Sequence, residues 1–198
     1  NGNTKLPGLR SAPDWRELAD MFTTDDLSSL RWDPVSGAVE IIDQTLLPHT
    51  LRWCHLDSLE AFCHAISSMQ VRGAPLIGIT AAFGLAHALA RDPSDESLEQ
   101  AFRQLLSTRP TAVNLFWALD RMVARAERDA ARGVDGSAIV EGLFEEAFAI
   151  HREDAEQCRR MGELGAELLS DGASVLTHCN AGALATGGIG TALAPIYV

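Results

Sequence analysis

The chain has 198 residues, 46% hydrophobic and 22% charged, the balance of a folded globular protein with room for one large domain or two small ones. Its formal net charge of -11 excludes non-specific nucleic-acid binding, which needs a basic surface, but leaves room for a small anion held by a few local arginines. Cys54, Cys63, Cys158 and Cys179 contain no C-x-x-C pair, so no zinc knuckle is read, and reduced thiols in a cytoplasm are the expectation. No secretory leader and no membrane span is read in the sequence.

Residues 1–14 are rich in Gly, Pro and Asn and read as an irregular extension, and Asp14 to Leu30 as short helix and turn over a core face. Leu30-Arg31-Trp32 and the stretch from Ala38 to Asp43 flank a Pro/Gly turn and predict a hairpin. Gln44 to Arg52, broken by Pro48, is expected to add a third extended piece. From Asp57 the period becomes helical, with Leu59, Phe62, Cys63 and Ile66 on one face and an end by Gln70. Cys63 and His64 read as a core residue beside a surface residue, not as a metal pair.

Pro75 suits the first turn of the next helix, where its missing N–H costs nothing. Arg72-Gly73-Ala74 is therefore a turn just ahead of a helix N-terminus, an anion site with a guanidinium added. The helix is small and apolar through Leu89 and must be buried, having no polar face. The arginine at its mouth needs a partner, either a carboxylate elsewhere or a bound phosphate.

A further helix spans about Glu96 to Ser107. Pro110 and Thr111 then read as the start of another, with Arg109 just ahead of it, running to about Arg132. Its Arg121, Arg125, Arg128 and Arg132, alternating with Asp120, Glu127 and Asp129, read as a solvated face with intrahelical pairs. Residues 137–169 form a long predicted helix with a possible break at Gly162 or Gly165. Its charged positions, Asp154 among them, read as solvent-facing, and His151 as a surface or satisfied core histidine.

After Asp171-Gly172, Val175 and Leu176 read as a short buried strand leading into Thr177-His178-Cys179-Asn180. Gly182, Gly187, Gly188 and Gly190 follow and leave backbone N–H groups uncovered. Such a strand, turn and helix start cradles anions and stabilises a thiolate, although small residues there also serve plain helix–sheet packing. The glycines do not fit G-x-G-x-x-G, and no Gly-Lys-Ser/Thr follows, so no nucleotide loop is read. A helix is expected from Gly190.

Three polar turns feeding apolar helices thus stand at Arg72-Gly73-Ala74-Pro75, Arg109-Pro110-Thr111 and Thr177 to Asn180. V-R-G-A-P-L-I-G at 71–78, S-T-R-P-T-A-V-N-L at 107–115 and L-T-H-C-N-A-G-A-L-A-T-G-G-I-G-T-A-L at 176–193 resemble the methylthioribose-1-phosphate isomerases of methionine salvage, an initiation-factor-2B-like family. The resemblance covers about residues 30 to 198. It implies an α/β fold, with an N-terminal domain of small antiparallel sheet plus helices over 14–170. A Rossmann-like parallel domain would begin at 171–198, and residues 1–13 lie outside.

The resemblance further implies an aldose–ketose isomerase without metal or redox cofactor. Cys179 would be the catalytic thiol, and Arg72, Gly73, Ala74 and Arg109 would bind the sugar phosphate. It implies a homodimer; the acidic charge and the absence of a readable membrane span lead to the expectation of no nucleic-acid and no membrane partner. Family members continue into a second half bearing a catalytic aspartate and an Asn-Lys pair, and no aspartate here occupies that motif. The chain is therefore expected to be one part of a longer enzyme, with an intact mass above 21.3 kDa. Two other readings remain: a ribose-1,5-bisphosphate isomerase, and a non-catalytic regulatory subunit of the initiation-factor-2B type.

Overall fold

The computed structural model describes residues 28–198; the expectations for residues 1–13 and for the segment up to 27 lie outside the described residues. The predicted hairpin forms from β1 (Leu30–Trp32) and β2 (Val39–Ile42), with Leu30 opposite Ile41 and Trp32 opposite Val39. Strand alternation turns Leu30, Trp32, Val39 and Ile41 into the core. The third strand, β3 (Trp53–Leu56), pairs antiparallel with β2 but starts later than expected. Asp43 is the reason. Its carboxylate accepts the Thr45 N–H at 3.1 Å and hydroxyl at 2.6 Å, and so caps a 3-10 turn at Gln44–Leu46 in place of extended chain.

Helix α1 (Leu59–Ser67) is capped by Ser58 and buries Phe62, Ala65 and Ile66; Cys63 is partly buried and His64 exposed. Helix α2 (Ala74–Arg91) is the axis of the fold, and every residue from Leu76 to Leu89 is buried. By length and apolarity alone α2 resembles a membrane span. Here the solvent it avoids is replaced by α1, by α3 (Asp95–Thr108), by α4 (Val113–Ala131) and by α5 (Gly136–Ala166).

Helix α4 starts two residues past Thr111, not at Pro110 as expected. A residue preceding proline is pushed out of the helical region, so Arg109 ends α3 with φ −145° and ψ 74°. Arg109 is thus a helix C-cap, followed by a turn in which Ala112 N–H donates to the Arg109 carbonyl. Helix α5 runs unbroken through Gly162 and Gly165, which instead admit the last helix, α6 (Ala194–Tyr197).

The face of α4 expected to hold intrahelical pairs is partly an interhelical clamp. Arg121 bonds Glu146 and Glu153 of α5 at 2.5 Å each, and Arg125 bonds Asp129 at 2.6 Å and Glu145 at 2.9 Å. Glu146 is only 13% exposed, and without Arg121 it keeps only the longer 3.4 Å bond from Arg125, so a desolvated charge is left weakly paired. Arg121→Ala is expected to lower the unfolding free energy by about 1–2 kcal/mol, with a coupling to Glu146 of about 1 kcal/mol in a double-mutant cycle.

The strand expected at Val175-Leu176 does not form. Residues 173–178 carry no regular secondary structure and are exposed, Leu176 by 97%. A strand is held by hydrogen bonds to a neighbouring strand, and none pairs with this stretch among the described residues. The chain then folds back on α2 and α5, with an isolated bridge between Gly182 and Gly190, a 3-10 turn at Ala183–Ala185, and α6 in place of a helix from Gly190.

Candidate functional site

The turn before α2 is fixed from below by polar bonds. Gln70 donates to Asp43 at 3.1 Å, and its carbonyl accepts the Gln44 N–H at 3.0 Å. Arg52 also donates to Asp43, at 2.8 Å. Burial pushes the Asp43 carboxyl up, but the bonds from Thr45, Arg52 and Gln70 outweigh it and hold it below the usual carboxylate range. Two residues beyond Gln70, Arg72 is exposed and forms no ion pair among the described residues. Gly73 caps α2 with φ +98°, and Ala74 opens the helix.

The segment after Cys179 docks onto this turn. Gln44 donates to the Leu184 carbonyl at 2.6 Å, and Ser29 to the Ala183 carbonyl at 3.2 Å. A Cβ added to Gly73 would stand 2.4 Å from the Ala185 Cα, so the two glycine-bearing motifs, far apart in sequence, press backbone to backbone. Cys179 lies at the exposed entry of the segment with φ +64°, a left-handed conformation uncommon outside glycine. The structure thus brings Gly73 and the post-cysteine turn together. Arg72 and Ala74 flank the contact in sequence.

Arg109 belongs to the turn that precedes α4. The Asn114 carbonyl, at the start of α4, packs against Gly78 in the second turn of α2; a Cβ there would be 2.8 Å away. Arg109 stands five residues before Asn114. Its Nη1 is buried and has no hydrogen-bond acceptor among the described residues. Such a group calls for an acceptor, which a bound anion supplies.

Between α2, α4 and α5 lies a cavity of about 280 Å³, lined in part by Pro75, Gly78, Asn114, Trp117, Glu153 and Asp154. Asp154 corrects the expectation of a solvent-facing carboxylate. Its Oδ2 accepts the Gly187 N–H at 2.6 Å, and burial pushes its pKa up against that bond. Its neighbour Glu153 is held low by the Arg121 bond. His151 is buried on the same face of α5, against Gly187, as a core histidine; burial lowers its pKa to about 4. The missed signal was spacing: His151, Asp154 and Cys158 recur at i, i+3 and i+7 on one helix face.

A buried helix with a glycine cap, abutting a glycine-rich turn that carries a free cysteine, over a three-stranded antiparallel sheet, defines a mixed α/β domain with one joint between distant motifs. Residues 70–196 match the initiation factor 2 subunit family, and the chain belongs to that family. It is 50% identical over 177 residues to the methylthioribose-1-phosphate isomerase of Chloroflexus aurantiacus, covering 86% of this chain and 50% of that protein. It is 51% identical over 170 residues to the 5-deoxyribose 1-phosphate isomerase of Moorella thermoacetica, covering 81% and 47%. Among solved structures, the 5-methylthioribose 1-phosphate isomerase of Pyrococcus horikoshii superposes with a TM-score of 0.78 at 37% identity, covering 89% of this chain and 52% of that one. Translation initiation factor eIF-2B subunit delta of A. fulgidus superposes with a TM-score of 0.76 at 40% identity, covering 87% and 50%. The chain spans about half the length of the curated relatives it matches.

Proposed function

We propose that the full-length protein is an aldose–ketose isomerase that converts 5-methylthioribose 1-phosphate to 5-methylthioribulose 1-phosphate in methionine salvage. The observation that carries this reading is the contact of Gly73 with Ala185, which seats the Arg72-Gly73-Ala74 turn against the turn that follows Cys179. In this reading the phosphate takes the Arg72 guanidinium and the free amides at the start of α2, where the helix dipole favours negative charge. Arg109 supplies a second cation to the phosphate end. The three isomerases named above are named for methylthioribose 1-phosphate or 5-deoxyribose 1-phosphate, and this favours a pentose 1-phosphate class.

A phosphate on the anomeric carbon blocks the simple ring opening of a free aldose. The phosphate must stay bound while hydrogen moves between adjacent carbons. By proton transfer the step needs a group that removes a proton from one carbon and a group that returns one to its neighbour. Cys179 is assigned one of these roles; its exposed thiol stands in a strained backbone at the entry of the turn. A hydride shift instead requires a dry pocket, and the apolar wall of α2 is compatible with it.

Residues 171–198 are read as the opening of a second, Rossmann-like domain after the helical domain of 14–170. The protein is read as a cytoplasmic homodimer, in keeping with its four free thiols, and solution mass tests the dimer.

The test is turnover by the full-length protein of 5-methylthioribose 1-phosphate, 5-deoxyribose 1-phosphate and ribose 1,5-bisphosphate. Preference for the first is expected. Cys179→Ser is expected to lower kcat by roughly a hundredfold or more with KM little changed. A wild-type rate in that variant removes the role given to the thiol. The likeness to the A. fulgidus factor favours a second reading, a regulatory subunit. Absence of turnover on all three sugars, with sugar phosphate still bound, decides for it.

A further inference from the structure

Asp154 presents an anomaly that the proposed chemistry does not use. It is a largely buried carboxylate on α5 with no cationic partner among the described residues, close to a site read as binding an anion. Burying a charge without a counter-ion is costly, and one backbone bond offsets only part of that cost. What Asp154 holds is the Gly187 amide, at 2.6 Å. The Cys158 thiol, one turn along α5, is the other group near its Oδ2, at 4.0 Å.

Gly187 is seated where no side chain fits: a Cβ would stand 2.7 Å from His151 Cδ2 and 2.9 Å from Ile79 Cδ1. The turn is closed locally as well, because Thr186 Oγ1 donates to the Gly188 carbonyl at 2.9 Å and accepts the Gly188 N–H at 3.3 Å. Two residues before Gly187, Ala185 abuts the Gly73 cap of α2. A short path therefore runs from the α5 carboxylate through the Gly187 amide to Ala185 and the turn that bears Arg72.

We infer that Asp154 is a positioning residue: it sets the Thr186-Gly187-Gly188 turn against the N-terminus of α2 and so fixes the turn that bears Arg72, which is read as holding the phosphate. The inference rests on the sugar-phosphate reading for its functional consequence, and on geometry alone for the turn. Asp154 acts on the amide, not on the substrate. It is therefore expected to govern binding of the phosphate more than the chemical step.

The test compares Asp154→Ala with Asp154→Asn in the full-length protein. The asparagine oxygen still accepts the Gly187 N–H, and alanine cannot. Asp154→Ala is expected to raise KM for the pentose 1-phosphate by about tenfold, the loss of one charge-assisted hydrogen bond, and to raise the inhibition constant of inorganic phosphate by the same factor. Its kcat is expected within about threefold of wild type, and Asp154→Asn within about threefold on every constant. Amide exchange over 186–188 is expected to quicken about tenfold in Asp154→Ala and to stay at the wild-type rate in Asp154→Asn. Unchanged exchange in the alanine variant overturns the inference. So does a fall in kcat with KM and the phosphate constant unmoved, which is the mark of partial unfolding. If the wild-type protein turns over no pentose phosphate, the isomerase reading fails by itself, and exchange with phosphate inhibition replaced by phosphate binding still decides the role of Asp154.

Discussion

Gly73→Ala is expected to destabilise the protein by about 3 kcal/mol or more and to abolish tight binding of the sugar phosphate. Two costs add. A side chain at φ +98° is strained by about 1–3 kcal/mol. A Cβ there also stands 2.4 Å from the Cα, the Cβ and near the carbonyl oxygen of Ala185, and backbone cannot swing aside as a flexible side chain would. Overpacking of this kind adds about 1–3 kcal/mol. Relief requires the 183–185 turn to lift off α2, which also breaks the Gln44 bond to Leu184. Gly133→Ala is the control: its φ is +75°, but no atom lies within 4 Å, so strain is its only cost. Urea midpoints of the two variants measure the difference. Equal losses would mean that the contact with Ala185 contributes nothing.

Acid is expected to remove about 6 kcal/mol of stability between pH 6.5 and pH 4, ahead of general acid unfolding. His87 and His151 are both buried, and burial lowers each pKa to about 4. For His87, the nearby Arg91 adds to the lowering and Asp57 opposes it; for His151, the Gly187 backbone opposes it. The folded protein keeps both neutral, while the unfolded chain protonates them near 6.5. The stabilisation is therefore fully present above pH 6.5 and is lost as pH falls toward 4. Each histidine contributes about 3 kcal/mol by linkage. Asp154 has the opposite sign, since its raised pKa costs stability at neutral pH and relieves that cost as it protonates. Unfolding followed by fluorescence suits the test, because Trp32 lies 5.9 Å from the His87 ring. His87→Phe, in a nest of Trp32, Phe62 and Phe144, is expected to halve the pH slope. A slope unchanged in that variant would place the acid sensitivity elsewhere.

These effects arise at positions of unequal legibility. The hairpin of β1 and β2 and the burial of α2 were readable, because period-two alternation and an all-apolar helix each admit one solution in water. Helix α4 starts later than the sequence suggests because Pro110, a good first residue for a helix, instead ends the helix before it. The strand at Val175-Leu176 is absent because a strand needs a hydrogen-bonded neighbour, and none pairs with this stretch among the described residues. The role of Asp154 is not legible in the sequence, because a charge on an exposed helix and a charge under a glycine turn look alike until the turn is placed.

By itself the sequence determined the local devices: the Pro/Gly turn of the hairpin, the Arg72-Gly73-Ala74 turn just ahead of a buried helix, and the order of the three motifs. Each follows from backbone sterics or from hydrogen bonds a few residues in range. Only the tertiary structure decided that residue 185 meets residue 73, that Arg109 ends a helix with a buried Nη1, and that a carboxylate of α5 holds Gly187. Those facts depend on how helices pack around α2. That packing is set by the summed burial of many apolar side chains, and no short stretch of sequence encodes it.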